Sequence, residues 1–309
     1  VKTLVFPGQG SQSVGMCRDL YEAVPTVRDT YSEAAAVLGY DIATPSFEGP
    51  VEQLSQTDVT QPALLVAEVA TLRAARERGL VFDCALGHSL GEYSALVAVG
   101  ALSFGAAVDL VRRRGAAMQT AAARHPGGML AVLGLDDEIV EQLCDAVDGT
   151  WPANYNCPGQ VVVSGTPEGL DALADKAAEA GARKVIRLPV SGAFHSPHMA
   201  AAAAELTPAL ERTRWSVPTC RFFSVSTVGF CDGGRPPSFA GVLTEQITAP
   251  VRFTQAVQTL MAAGCDAFLE VGPGAVLSGL IKRITGDATV SRIGDVETLA
   301  ALAEKWVET

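Results

Sequence analysis

The sequence predicts an α/β protein in two parts: a larger α/β domain interrupted by a small β-α-β-β-α-β domain. Three observations carry this expectation. Short apolar runs end in glycine-rich turns and pass into helical periods, as at Leu80–Leu86, Gly87–Gly91 and then Glu92–Val99. Between Gly127 and Val190 the patterns alternate as strand, helix, strand, strand, helix, strand, the order of a ferredoxin-like unit. The flanks His125-Pro126-Gly127-Gly128 and Ser191-Gly192 read as hinges. They place a small domain at residues 126–191 and a discontinuous large domain at 1–125 and 192–309, with a cleft between them.

In chain order, Val1–Pro7 reads as a first strand ending at Pro7-Gly8-Gln9-Gly10. Its Gly-x-Gly is a poor dinucleotide loop, because Ser13 stands where the third glycine belongs. A polar loop carrying Gln9 to the edge of a pocket is the better account. Asp19–Leu38 is helical in pattern and Pro45–Gln56 irregular. Pro62 suits the first position of a helix over Ala63–Arg78, with Thr60 or Gln61 as its cap; Gln61 either caps alone or also faces a ligand. Ser103 caps a helix through Ala123, and Gly115-Ala116-Ala117 permits close packing on it. In the insert, strands fall at Met129–Leu135, Trp151–Asn156, Gln160–Ser164 and Arg183–Val190, with helices at Asp136–Val147 and from Thr166 to Ala180. Beyond it come a helix Met199–Glu211, a strand Cys220–Val225, helices near Ser238–Ile247 and Phe253–Ala263, a strand Ala267–Val271 and a helix Val276–Ile284. A tail from Thr289 carries one last helix.

Hydrophobic residues make up 48% and charged residues 18% of the 309, an ordinary globular balance. No apolar run reaches membrane-spanning length, since Gly, Pro or charge interrupts each one. Val1–Pro7 is too quickly broken to be a signal peptide. Seven scattered cysteines without a Cys-x-x-Cys argue against a zinc site or a disulfide framework, and point to a reducing cytoplasm. The net charge of −11 argues against general nucleic-acid binding. Arg112–Arg114, Arg183-Lys184 with Arg187, and Lys282-Arg283 read as solvated faces, one of which an acidic partner could still use.

Chemistry centres on Gly87-His88-Ser89-Leu90-Gly91. Gly-x-Ser-x-Gly arises by chance in many loops, but between a strand and a helix it exposes the serine hydroxyl beside free helix N–H groups, as a nucleophile needs. Such a serine requires a base. The histidines are His88, His125, His195 and His198. His88 adjoins Ser89 and points elsewhere on a tight turn, whereas His195 lies where the chain re-enters the large domain, beside the cleft. His195 is the preferred base.

Seven blocks then fall in a recognisable order: Gly8-Gln9-Gly10-Ser11-Gln12, Thr60-Gln61-Pro62-Ala63, Gly87–Glu92, Arg114-Gly115, Asn154–Val161, Gly192–Ser196 and Glu270–Gly274. Together they resemble the malonyl-CoA:acyl-carrier-protein transacylases of fatty acid or polyketide synthesis, over nearly the whole length. The resemblance implies an α/β-hydrolase-like large domain with the ferredoxin-like insert. It implies Ser89 as nucleophile, His195 as base oriented by the backbone carbonyl of Gln246, and an oxyanion site from the N–H groups of Gln9 and Leu90. It further implies that Arg114 binds the malonyl carboxylate and that Gln61, Phe194 and His88 belong to the substrate pocket. Leu90 and Phe194 resemble the malonyl-selective members. Malonyl-CoA and an acyl carrier protein are the implied partners, with no metal or other cofactor, no nucleic acid, no membrane and a monomeric state. A serine hydrolase or thioesterase with a carboxylate at Asp109, Asp136 or Asp171, transfer of another acyl unit, and a non-catalytic docking protein are the alternatives.

Overall fold

A computed structural model describes residues 1–231, 238–302 and 306–307. Its strands are β1 (Lys2–Phe6), β2 (Cys84–Gly87), β3 (Gly128–Leu133), β4 (Thr150–Cys157), β5 (Gln160–Gly165), β6 (Lys184–Arg187), β7 (Arg221–Ser224), β8 (Gly229–Cys231), β9 (Ala267–Val271) and β10 (Thr289–Ile293). The larger sheet has the order β10-β9-β1-β2-β7-β8. Its neighbours run parallel except the edge strand β8, which is antiparallel to β7. Central strands covered on both faces need unbroken apolar runs. Leu4, Val5 and Phe6 of β1 and Cys84, Ala85 and Leu86 of β2 are fully buried accordingly.

The smaller sheet has the order β4-β5-β3-β6 with every neighbour antiparallel, the ferredoxin-like arrangement expected. The two-residue period of its strands divides the faces. Leu130, Val132, Val161 and Val163 pack with Val140, Leu170 and Leu173 of the helices Asp137–Asp145 and Pro167–Glu179. Met129, Ala131 and Val162 belong instead to the main core, beside Met118 and Phe194. The small sheet is thus held between its own helices and the rest of the protein. No helix among the described residues is long and apolar enough to cross a membrane.

Several elements differ from expectation. The helix over Asp19–Leu38 is two, Arg18–Ala23 and Pro25–Leu38, because Val24 precedes a proline and is extended there. The segment Pro45–Gln56 holds two short helices, Ala43–Phe47 and Val51–Leu54, rather than irregular chain. The helix expected from Ala63 begins at Thr57 and runs to Glu77, with Pro62 inside it. Gln61 therefore caps nothing; it lies in the second turn, 1% exposed. The strand expected from Leu80 starts at Cys84, and the residues before it tie to the tail, Leu80 bridging Val307 and Val81 donating to the Trp306 carbonyl. Strands β8 and β10 were not expected; of the tail, residues 303–305 and 308–309 lie outside the described residues.

Strand β2 passes into the helix Gly91–Ala98 through His88, Ser89 and Leu90 alone. So abrupt a turn leaves no room for side chains at its ends. A Cβ on Gly87 would lie 1.8 Å from the Gly91 carbonyl carbon, and one on Gly91 would lie 2.1 Å from the Phe6 carbonyl oxygen of β1. We predict that Gly91→Ala loses about 3 kcal/mol or more of stability in urea denaturation, since backbone cannot yield as a side chain does. Gly279→Ala, on an exposed helical face with nothing within 4 Å of the new methyl, should gain about 0.5–1 kcal/mol in the same assay.

Candidate active site

The abrupt turn puts Ser89 at φ +54°, in the left-handed region that non-glycine residues seldom occupy. Its hydroxyl opens on a cleft of about 310 Å³ lined from both sheets' surroundings, by Gln9, Arg114 and His195 on one side and Met129, Asn154 and Leu188 on the other. Ser89 is partly exposed there. Behind it, the helix Gly91–Ala98 presents its first N–H groups.

His195 follows Phe194 in the loop that leads from the small sheet back to the large one, and it too is left-handed, at φ +57°. The hydroxyl of Ser164 in β5 holds the Phe194 carbonyl and that of Ser196 holds the Ala193 carbonyl, so the loop is pinned on both sides of the imidazole. Nδ1 faces two carbonyl oxygens, of Gln246 at 2.9 Å and Ala249 at 3.1 Å. Both are acceptors, which puts the ring proton on Nδ1 and leaves Nε2 to accept. Nε2 lies 2.8 Å from Ser89 Oγ. Burial, with the nearby Arg114 cation second, lowers the His195 pKa to about 3, while the two carbonyls act in the opposite sense. The ring is neutral and ready to take a proton.

Arg114 projects from the helix Phe104–Arg124, whose start Ser103 caps through the Ala106 N–H. Its neighbours Arg112 and Arg113 turn outward to Asp109. Gly115 sets the depth: a Cβ there would meet Asp58 Cα at 2.9 Å, so the helices Phe104–Arg124 and Thr57–Glu77 nearly touch. Arg114 is 1% exposed. Nη1 donates to Gln61 Oε1 at 2.8 Å, and Nη2 to Ser89 Oγ at 3.0 Å and Gln246 Oε1 at 2.9 Å. Nε has no partner, and among the described residues no carboxylate pairs with this guanidinium.

The remaining expected residues are placed as follows. Gln9 and Leu90 line the same cleft as Ser89, and neither N–H donates to a protein acceptor among the described residues. Phe194 lines the cleft from beside His195. His88 turns away from the serine; its Nε2 lies 3.0 Å from Asn156 Oδ1 and its ring packs on Phe253. Gln246 offers its carbonyl to His195 and also its side chain to Arg114. Of the alternative orienting carboxylates, Asp109 holds Arg112 and Arg113, and Asp171 holds Arg187.

Comparison with known proteins decides the family. The acyl transferase domain matches residues 3–301. The chain belongs to the acyl transferase domain family. It is 42% identical to the malonyl CoA-acyl carrier protein transacylase of Bacillus subtilis (strain 168), over 96% of this chain and 94% of that one. It is 40% identical to the protein of the same description from Escherichia coli (strain K12), over 97% and 98%. A solved malonyl-transacylase in complex with its type II PKS acyl-carrier protein superposes with a TM-score of 0.95 at 38% identity, over 98% and 99%. The transacylase of Streptococcus pneumoniae superposes at 0.92 and 39% identity, over 99% and 100%.

Within this acyl transferase the sequence blocks held residues whose contacts were not foreseen. Glu92 is fully buried and accepts from Gln246 Nε2 and, at 2.8 Å, from the Val225 N–H. Burial pushes its carboxyl up to about 7. Ala249 supplies the second carbonyl to His195, and Met118 Sδ lies 3.4 Å from Gln61 Nε2. Glu92 lies three residues after the serine, in the Gly87–Glu92 block, and so carried a signal; Ala249 and Met118 carried none. Among the described residues, no three His, Cys, Asp or Glu side chains converge as a metal site.

The sign of the His195 shift is testable. An imidazole of ordinary pKa, about 6.5, gains its proton just below neutrality. Here the folded form resists it down to about 3. The unfolded chain therefore binds more protons in that window, and folded stability falls as pH drops below about 6.5, by up to ~1.4 kcal/mol per pH unit from this residue. NMR of ring-labelled histidine should show His195 with no titration step near pH ~6.5.

Proposed function

We propose that the protein moves a malonyl group from malonyl-CoA to the phosphopantetheine thiol of an acyl carrier protein, through an ester on Ser89. The observation that carries this is the buried Arg114 guanidinium, unpaired with any carboxylate among the described residues and 3.0 Å from Ser89 Oγ. A fork of N–H groups in that place suits an acyl chain that ends in a carboxylate. The descriptions of the relatives and the solved complex with a carrier protein support the same donor and acceptor.

In this reading His195 Nε2 takes the Ser89 proton as Oγ attacks the thioester carbonyl. The Gln9 and Leu90 N–H groups hold the developing oxyanion. The tetrahedral adduct collapses with loss of CoA thiolate, which leaves with the proton from His195. The carrier's thiol then gives its proton to His195, attacks the ester and releases Ser89, which recovers the proton. No metal or other cofactor enters this sequence. Neutral carbonyls at His195, rather than an aspartate, favour transfer over the hydrolase alternative. Division into a catalytic part, residues 1–125 and 192–309, and a small part, 126–191, belongs to the same reading, and cleft lining from both parts supports it. Scattered cysteines without a Cys-x-x-Cys support a reducing cytoplasm, where the product feeds fatty acid or polyketide synthesis.

Arg114→Ala should cut the second-order rate of malonyl-enzyme formation about 30- to 1000-fold, from about 2–4 kcal/mol for a broken buried charge pair. Its preference should move toward neutral acyl-CoAs, read by mass spectrometry of the acyl-enzyme; an unchanged malonyl preference would refute the role. With Phe194 against the acyl site, malonyl-CoA should outcompete methylmalonyl-CoA in the same assay, and equal use would count against that residue.

A further inference from the structure

The buried carboxylate of Glu92 is not one of the groups that touch substrate in this scheme, yet the Gln246 side chain links it to both Arg114 and the Ser89 carbonyl. Its two oxygens face two N–H donors, the Gln246 amide and the Val225 backbone. The other amide hydrogen of Gln246 goes to the Ser89 carbonyl at 2.8 Å, and its oxygen receives Arg114 Nη2. Glu92 and Arg114 feel each other's charge but make no direct ion pair. We propose that Glu92 is a positioning residue: it fixes the direction of the Gln246 amide, and so holds the Arg114 fork toward the acyl carboxylate without occupying it.

The chemistry of the donors explains why a carboxylate is needed. The two N–H groups that face Glu92 both donate, with the Ser224 hydroxyl a further neighbour, so only an acceptor at each oxygen satisfies those N–H groups. A direct carboxylate partner on Arg114 would fill the fork that the acyl group needs. An amide set between them passes the orientation and leaves the fork free. His195 is oriented through the backbone carbonyl of Gln246 instead, so a turned side-chain amide leaves the base in place. The inference rests on the malonyl reading above and adds the residue that arms its selectivity.

Glu92→Gln places one donor against another. The Val225 N–H is backbone and fixed; the Gln246 amide can turn, which sets its NH₂ against the guanidinium. Single-turnover acylation of wild type, Glu92→Gln and Arg114→Ala, each with malonyl-CoA and with acetyl-CoA, reads the effect. The half-saturating malonyl-CoA concentration should rise about tenfold in Glu92→Gln, with a much smaller change in the limiting rate, because the carboxylate contact is made in substrate and transition state alike. The acetyl-CoA values should shift far less, so the malonyl-to-acetyl ratio falls. A ratio equal to that of wild type, whether both rates drop or neither does, overturns the inference.

Wild type alone gives a second measurement should the variant fail to fold. A protonated Glu92 would turn an O–H toward a donor, so the ratio should decline from about pH 8 to pH 6. The groups that face or neighbour it are Arg114 on the helix Phe104–Arg124, Tyr93 on its own helix and the neutral Gln246 and Ser224. Another buried carboxyl, Glu68 on the helix Thr57–Glu77, is engaged by Ser94. His195 and the CoA phosphates act on both donors and cancel in the ratio. A flat ratio overturns the inference. Absence of any malonyl ester on wild-type Ser89 would overturn the transacylase reading and the inference with it, whereas a normal ester with an unmoved ratio overturns the inference alone.

Discussion

Arg114 is 1% exposed and, among the described residues, has no carboxylate in hydrogen-bond reach, so neutral groups must replace the water that its charge has lost. Moving a charge from water into a protein interior costs several kcal/mol, even after relaxation. Two glutamine oxygens and the Ser89 hydroxyl offset part of this, and Nε is left without a partner. A cation held in this way has most to gain from an anion that enters the cleft. Burial first, and this charge second, oppose a second proton on His195 and keep the ring neutral. One buried guanidinium thus bears on both the acid selectivity proposed and the state of the imidazole.

Placing that group draws on long-range packing. Gln61 reaches Arg114 because the helices Thr57–Glu77 and Phe104–Arg124 meet at Gly115. Gln246 reaches it from the end of a helix more than 130 residues later, and Ser89 from a turn built between β2 and the Phe6 carbonyl of β1. Three separate crossings of the core converge on one side chain. Each is held by apolar contacts in a single cluster that also takes in one face of the small sheet. The cleft is therefore a product of the main core rather than of surface loops.

This explains what could be read in advance. The serine turn, the insert's strand order and the capped helices at Ser103 and Thr166 are local patterns, and the structure has them. Pro62 misled because a proline most often opens a helix; here four preceding residues, Thr57 to Thr60, already form its first turn. Strand β8 spans three residues at a sheet edge, too few for a period of two to appear. Strand β10 is half-exposed at the other edge, and its pairing with β9 is set by register, not composition. Within the site, Ser89 and His195 stood out because their residue types advertise chemistry, whereas Arg114 read as one of a solvated run and was singled out only by the family resemblance. Glu92 was visible but unassigned, since a glutamate in the first turn of a helix is ordinarily a surface group favouring the helix dipole. Only the tertiary fold shows that it is buried against Gln246.

The carbonyls at His195 make sense in the same electrostatic frame. A carboxylate on Nδ1 would stabilise the imidazolium more strongly than two neutral oxygens can, and serine hydrolases with that arrangement use it for this purpose. Here the imidazole already shares Ser89 Oγ with Arg114 Nη2. An anion beside Nδ1 would add a negative charge to a poorly solvated site that holds a buried guanidinium, and opposite charges attract more strongly there than in water. In the proposed reaction it would compete with the acyl carboxylate for Arg114. Neutral carbonyls from Gln246 and Ala249 fix the tautomer and the ring plane without that competition.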